Sequence, residues 1–441
     1  MRDPAATRLV RWSIFAIPPL AWTVPRAGEP PAGLETADVS KLLVLVTLTV
    51  MASWFLAREV YRDGGLRVPG TIGWFAGFSV FGLLSVLWSP LPVVTIDKAG
   101  TMVLLCVLSL AIGVVARSRG DVSRVMWWLS MSLWIFSGIN AAVYLYDPTM
   151  SGLDRVRIEV GGDGLIHPTA AGSTASLAIL ILVVCRRVWR FDWTGQILWP
   201  AVATHGAILF WAGSRMSLLM LIVATMPWWF AEVTRVRLAI GGLIVAVAAT
   251  GWMVVDPGFA AAESPAAAVG SIVTRGQSAG EIFEASGRAE MWRAVASEFW
   301  HSPWIGHGYF VTSRRGELMV WFHRSNHLAH NMALQSLVTV GVVGTLIFAV
   351  ALFGIARRTA VLWGSADRFD RRRGRTMATV GCWYAGWSLL AASFLGPVRP
   401  ESLVFFVMVG LVSANCRSLS PRDERPGRNG VGGNGVRGLQ Q

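Results

Sequence analysis

About twelve apolar runs, each long enough to cross the roughly 30 Å of bilayer hydrocarbon that some 20 helical residues span, leave this chain few folds to adopt. They lie near 10–25, 41–60, 70–89, 98–116, 125–146, 169–186, 195–213, 215–231, 237–255, 331–356, 376–395 and 402–416. With 54% hydrophobic residues, 22 Trp and only 15% charged residues, the composition is far from that of a soluble globular domain. The expected fold class is an all-α polytopic membrane protein with about 12 transmembrane helices.

The first run is interrupted by Pro18 and Pro19, and its basic flank is also a signal-peptide feature. No small-residue cleavage site follows it, so it is kept as a span. Placing both termini in the cytoplasm puts roughly two-thirds of the Lys and Arg on the cytoplasmic side, as the positive-inside rule requires. These include Arg58, Arg62 and Arg67, then Arg117, Arg119 and Arg124, and the cluster from Arg357 to Arg375. The acidic residues lean the other way. The domain organisation expected is nine spans over 1–255, an exterior loop at 256–330, three spans over 331–416, and a disordered cytoplasmic tail at 417–441, rich in Gly, Arg and Asn.

The net charge of +13 is therefore a topology signal. No contiguous basic face or aromatic-interleaved groove points to nucleic acid. The only lysines, Lys41 and Lys98, follow Ser and Asp, so no Gly-Lys pair is present to bring an ammonium to a nucleotide's phosphates. Cys106, Cys185, Cys382 and Cys416 fall in spans or at cytoplasmic ends, where small apolar packing is the expected role.

Two exterior segments are longer than connections need to be, 147–168 and 256–330, and long loops in compact proteins carry function or are disordered. The second holds His301, His307, His323, His327 and His330, five of the seven histidines, with Trp292, Trp300, Trp304 and Trp321. Short helices are expected within it. Ser286 is placed to cap one beginning near Arg288, along which Trp292, Val295, Ala296 and Phe299 recur at helical spacing, and this helix is expected at the membrane interface. His323, His327 and His330 stand at i, i+4 and i+7, a spacing able to ligate zinc on a helical face, although no His-Glu-x-x-His pattern accompanies them.

Five segments together carry a resemblance: LLSVLWSPLP at 83–92, HPTAAG at 167–172, AGSR at 212–215, SGRAEMWRAVASEFWHSPWIGHGYF at 286–310 and HNMALQSLVTVGVVG at 330–344. In this order they resemble the bacterial O-antigen ligase and O-antigen or exopolysaccharide polymerase superfamily. The most specific element is His-Asn, nine residues, then Gly-x-x-Gly, met by His330-Asn331 and Gly341-Gly344. The resemblance implies a GT-C-like multi-pass glycosyltransferase of the bacterial inner membrane with a periplasmic active site. It implies a glycan donor on undecaprenyl diphosphate and, as acceptor, lipid A core or the end of a growing glycan, with no cofactor and no catalytic metal. A polymerase would add a chain-length regulator as partner. Functional residues carried over are His330, Arg288 of SGR and Arg215 of AGSR.

The chemistry of that transfer fits these residue types. A departing diphosphate needs positive charge beside it, no Asp-x-Asp pair in the exterior loops offers a metal site, and guanidinium binds phosphate oxygens bidentately. Arg215 opens a span at its exterior end, where the helix N-terminus adds partial positive charge. His330 is the expected general base, since a neutral imidazole can take the acceptor's proton. His327, Asn331 and His167 are expected to bind substrate. Gly341 and Gly344 are expected to let their helix approach another closely, and His205, inside a span, to be packed or hydrogen-bonded in the bundle.

The alternative class is a twelve-span secondary transporter. Its two halves would mirror each other around a midplane site, whereas here the dominant loop follows the ninth run and the spans lack charges marking a path. Ligase, polymerase and protein O-glycosylating relative stay open, with a slight lean to exopolysaccharide polymerases.

Overall fold

A computed structural model of the 441-residue chain describes residues 4–22, 36–63, 69–147, 166–188, 194–212, 214–231, 288–316, 318–321, 324–326, 328–389, 391, 396 and 399–414. Within them, α1 (Pro4–Ala16), α2 (Thr36–Asp63), α3 (Gly70–Leu84), α4 (Pro92–Val115) and α5 (Arg119–Tyr146) come first. Next are α6 (Pro168–Val188), α7 (Thr194–Trp211), α8 (Arg215–Ala231), α9 (Arg288–Phe299), α10 (Met332–Trp363), α11 (Arg368–Ser388) and α12 (Pro400–Ser413). Helices occupy eleven of the expected apolar runs. The run at 237–255, the loop at 148–165 and the tail at 417–441 lie outside the described residues.

Among the described residues, five helices are long and apolar enough to cross a membrane, at Leu43–Arg62, Gly70–Leu87, Pro92–Val115, Arg119–Tyr146 and Met332–Trp363, and four shorter apolar helices accompany them. The molecule is a polytopic membrane protein. Two elements differ from the expectation. The run at 10–25 is not one helix: α1 stops at Ala16 and Pro18–Ala21 forms a 3-10 turn, because Pro18 and Pro19 supply no amide hydrogens. An antiparallel hairpin of β1 (Leu318–Trp321) and β2 (Arg324–Asn326) adds strand to a fold expected to be wholly helical.

Inside a bilayer lipid is as apolar as leucine, so helix association rests on close packing. Phe75 and Phe78 of α3 meet Phe348 of α10, and Phe75 also meets Phe405 and Phe406 of α12, mostly edge to face. Outward-facing positions such as Leu43, Trp54, Leu346 and Phe353 are exposed, as a lipid-facing surface should be. Cys106 is buried against Ser79 Oγ at 3.4 Å, in keeping with a packing role, whereas Cys382 is exposed on α11.

The basic connections gather at one end of the bundle. Arg117 reaches Glu59 of α2 at 3.0 Å, and Arg119 reaches Asp367, which caps α11, at 2.6 Å while lying over the Phe369 ring. Asp367 Oδ1 also accepts from the amides of Phe369 and Asp370. Its carboxyl is held below the usual range, first by the Asp370 amide and then, against some loss of solvent, by Arg119 and the Phe369 amide.

Candidate functional site

The opposite end of the bundle collects the segments that carried the resemblance. α4 and α10 run from that end to the basic one. The connection at 302–310 threads between the starts of α4 and α10: the Tyr309 amide donates to Ser85 Oγ at 2.7 Å, and Thr95 Oγ1 donates to the Tyr309 carbonyl at 3.2 Å. Ser89 joins Thr95 by a 2.7 Å hydroxyl pair. The segment at 83–92 and the segment at 301–310 thus form one packed unit.

α10 is broken where this connection meets it. Gly341 takes φ 65°, ψ −171°, a backbone conformation essentially reserved for glycine. A Cβ there would fall 2.3 Å from the Trp304 carbonyl, and one on Gly306 would fall 2.4 Å from that of Thr339. The break frees helix amides and carbonyls, and 303–308 satisfies them. The amides of Val342 and Val343 donate to the carbonyls of Pro303 and Trp304 at 2.8 and 3.2 Å. In return the amides of His307 and Gly308 donate to Val338 and Thr339, each at 3.0 Å. Gly341 therefore admits a strand of loop into the helix, where close helix packing was expected. Gly344 does approach α3, with Phe81 3.0 Å from its Cβ position.

His330 is half-buried just before α10, with φ at +47°, a left-handed conformation that costs a non-glycine residue about 1–3 kcal/mol. Its neighbours hold it there. The Ala329 amide donates to Gln335 Oε1 at 2.6 Å, and its carbonyl accepts from Trp292 Nε1 at 2.8 Å. Asn331 caps α10, with Oδ1 accepting from the Leu334 amide at 3.0 Å, and its Nδ2 donates to the Leu389 carbonyl at the end of α11 at 3.2 Å. Both ends of its side-chain amide thus have a protein partner.

α9 is described from Arg288 on, where a helix was expected, and its expected cap Ser286 lies outside the described residues. Met291 and Val295 bury against Ala329 and Val338, with Trp292 and Phe299 beside them, while Ala296 is exposed. Arg288 stands one turn ahead of Trp292, the residue that grips Ala329. Arg215 opens α8 directly after Ser214, whose Oγ pairs with Ser217 Oγ at 2.6 Å. Ser214 in turn lies so close to α6 that a Cβ on Gly172 would meet it at 2.4 Å. Met220 of α8 meets Gly386, three residues before the Leu389 carbonyl that Asn331 binds. The starts of α6, α8, α9 and α10 and the end of α11 therefore share this end of the bundle. His167 is there too, exposed, its Nδ1 accepting from the Thr169 amide at 3.2 Å.

His323 and His327 lie outside the described residues; 324–326 between them is strand, and α10 starts at Met332, after His330. His307 is buried with Nε2 2.9 Å from the Glu298 carbonyl, and His301 Nδ1 is 3.3 Å from the Glu298 carboxylate. His205 is buried against Ser137 Oγ at 2.9 Å, as expected.

Sequence reasoning missed Glu401. It is fully buried at the start of α12; Ser173 Oγ donates to its Oε1, and Tyr384 OH donates to its backbone carbonyl at 2.6 Å. A carboxylate opening an apolar run was the available signal. The cluster joins α6, α11 and α12 beneath the end that carries His167 and Ser214.

A search of curated proteins finds no match. Residues 200–349 match the family model described as O-antigen ligase, a stretch that includes Arg215, Arg288, His330 and both Gly341 and Gly344. Residues 200–349 are thus similar to the O-antigen ligase family, which supports the resemblance to the O-antigen ligase and polymerase superfamily.

Proposed function

We propose that this protein is an inner-membrane glycosyltransferase that moves a glycan from undecaprenyl diphosphate to a sugar hydroxyl, on the periplasmic side, at the bundle end that carries His330. The observation that carries the proposal is the way His330 is held. Half-buried His330 is kept in a left-handed backbone conformation by Ala329, bonded to α9 and α10, and by Asn331, bonded to the end of α11. Strain of this kind persists where the surroundings over-determine it, and it clusters at functional sites.

In the proposed reaction the acceptor oxygen attacks the anomeric carbon and the bond from that carbon to the diphosphate oxygen breaks. The hydroxyl proton passes to the His330 imidazole. The electron pair of the broken bond leaves on the diphosphate, whose charge Arg215 and Arg288 meet. His167, His327 and Asn331 are the proposed substrate contacts. The acceptor is lipid A core or a growing glycan, and for a polymerase a chain-length regulator is the expected partner. Gathering of the basic connections 58–62, 117–124 and 357–375 at the other end supports the cytoplasmic assignment of that end.

The test is transfer in proteoliposomes that contain only the purified chain, undecaprenyl diphosphate-linked oligosaccharide and an acceptor. Elongated or ligated glycan together with free undecaprenyl diphosphate is the expected result. Passage of the intact lipid-linked or free solute across the bilayer with no new glycosidic bond would favour the transporter.

A further inference from the structure

We infer that residues 302–309 are a re-entrant segment embedded in the bilayer leaflet on the His330 side, with Trp304 and Ile305 in contact with the acyl chains of bilayer lipid. The inference rests on the membrane placement of α10 and not on the reaction proposed above.

Depth comes first. α10 is 32 residues long, more than a crossing needs, and carries Arg357 and Arg358 toward its far end. Counting back about 20 residues from Arg357, at about 1.5 Å each, puts the other edge of the hydrocarbon near Leu337. Gly341 then lies four residues, or about 6 Å, inside that edge. The loop meets the helix there, so its backbone sits below the membrane surface.

Non-helical backbone is tolerated at such depth only where protein satisfies it. The four bonds between 303–308 and 338–343 do this for both partners at once. On the protein side Tyr309 packs against Phe78 and Gly82.

The outer side of the segment is apolar and bare: Trp304 is 68% exposed and Ile305 41%. At the same level of α10 stands Val343, also exposed, followed along the helix by Leu346, Val350 and Phe353. The exposed residues of the segment therefore continue the lipid-facing stripe of a spanning helix. Tryptophan at the rim of the hydrocarbon is a common anchor, and Trp300, with His301 and Glu298 behind it, fits the headgroup level.

The experiment places the photoreactive side chain p-benzoylphenylalanine singly at 304, 305, 346 or 314 in the full chain, reconstituted in phosphatidylethanolamine and phosphatidylglycerol nanodiscs. Position 346 reports lipid contact on α10 and position 314, an exposed arginine, reports water. Irradiation should give phospholipid adducts, read as a mass increase, at 304, 305 and 346 and none at 314. Absence of phospholipid adducts at both 304 and 305 while 346 reacts would overturn the inference, as would cross-linking of 304 and 305 only to a second copy of the chain. If the change at 304 prevents folding, the result at 305 decides alone.

Discussion

Trp292 Nε1 donates to the Ala329 carbonyl at 2.8 Å, and through this bond α9, the helix that begins at Arg288, fixes the residue next to His330. Arg288 and His330 are 42 positions apart in sequence, yet their elements are held by one side chain. A net hydrogen bond contributes about 0.5–1.5 kcal/mol. Trp292→Phe keeps the ring and removes the donor, so transfer should fall by up to about tenfold with unchanged membrane insertion, measured as initial rate in proteoliposomes.

Gly341→Ala tests the helix break. An alanine there must adopt φ 65° and place its Cβ 2.3 Å from the Trp304 carbonyl, so the loop must leave the helix or the helix must shift. The expected loss is at least about 1–3 kcal/mol, seen as a lowered Tm of the purified protein. An unchanged Tm would mean that the break does not depend on the glycine.

How much of this was legible in the sequence depends on the range of the forces involved. Hydropathy runs are local, and helices occupy eleven of them, the first only as far as Ala16. Pro18 and Pro19 signalled the end of α1 for the same reason. The exchange between 303–308 and 338–343 was not legible, because it pairs backbone groups over more than thirty positions and the sequence marks it only by glycines. Glu401 was passed over since a single carboxylate at a span boundary resembles an interfacial residue until Ser173 and Tyr384 are seen around it. His330 and Asn331 could be singled out as a pair. That Asn331 spends its amide on Leu334 and Leu389 required the fold.

The Asp367 carboxyl supplies a pH dependence. Its folded pKa is below the ordinary value of 3.8, so its contribution to stability is fully present above the unfolded pKa and is lost as pH falls through the folded one. Asp367→Asn should therefore lower the Tm at neutral pH, and the gap from the unsubstituted protein should close as pH drops below about 4. Because the pair with Arg119 is partly exposed, salt should narrow the gap as well. A gap that widened in acid would contradict this.

If Arg215 and Arg288 meet the diphosphate, charge alone will not replace them. Arg→Lys at either position should impair transfer strongly, because an ammonium lacks the bidentate fork, and a chelator should leave transfer by the unsubstituted enzyme intact. Activity lost in chelator and restored by zinc or manganese would point instead to a metal held by histidines.

The most direct measurement is single-turnover transfer by His330→Asn and His330→Ala beside donor binding by the same proteins. Asparagine tolerates the left-handed backbone conformation, so it removes the imidazole while keeping the φ of +47°. Loss of a general base costs about 10²–10⁴-fold in rate. Both variants should lose that much while still inserting in the membrane and binding undecaprenyl diphosphate-linked glycan. Near-normal turnover by His330→Asn would contradict the account, because His330 would then serve the fold of this loop and not the proton transfer.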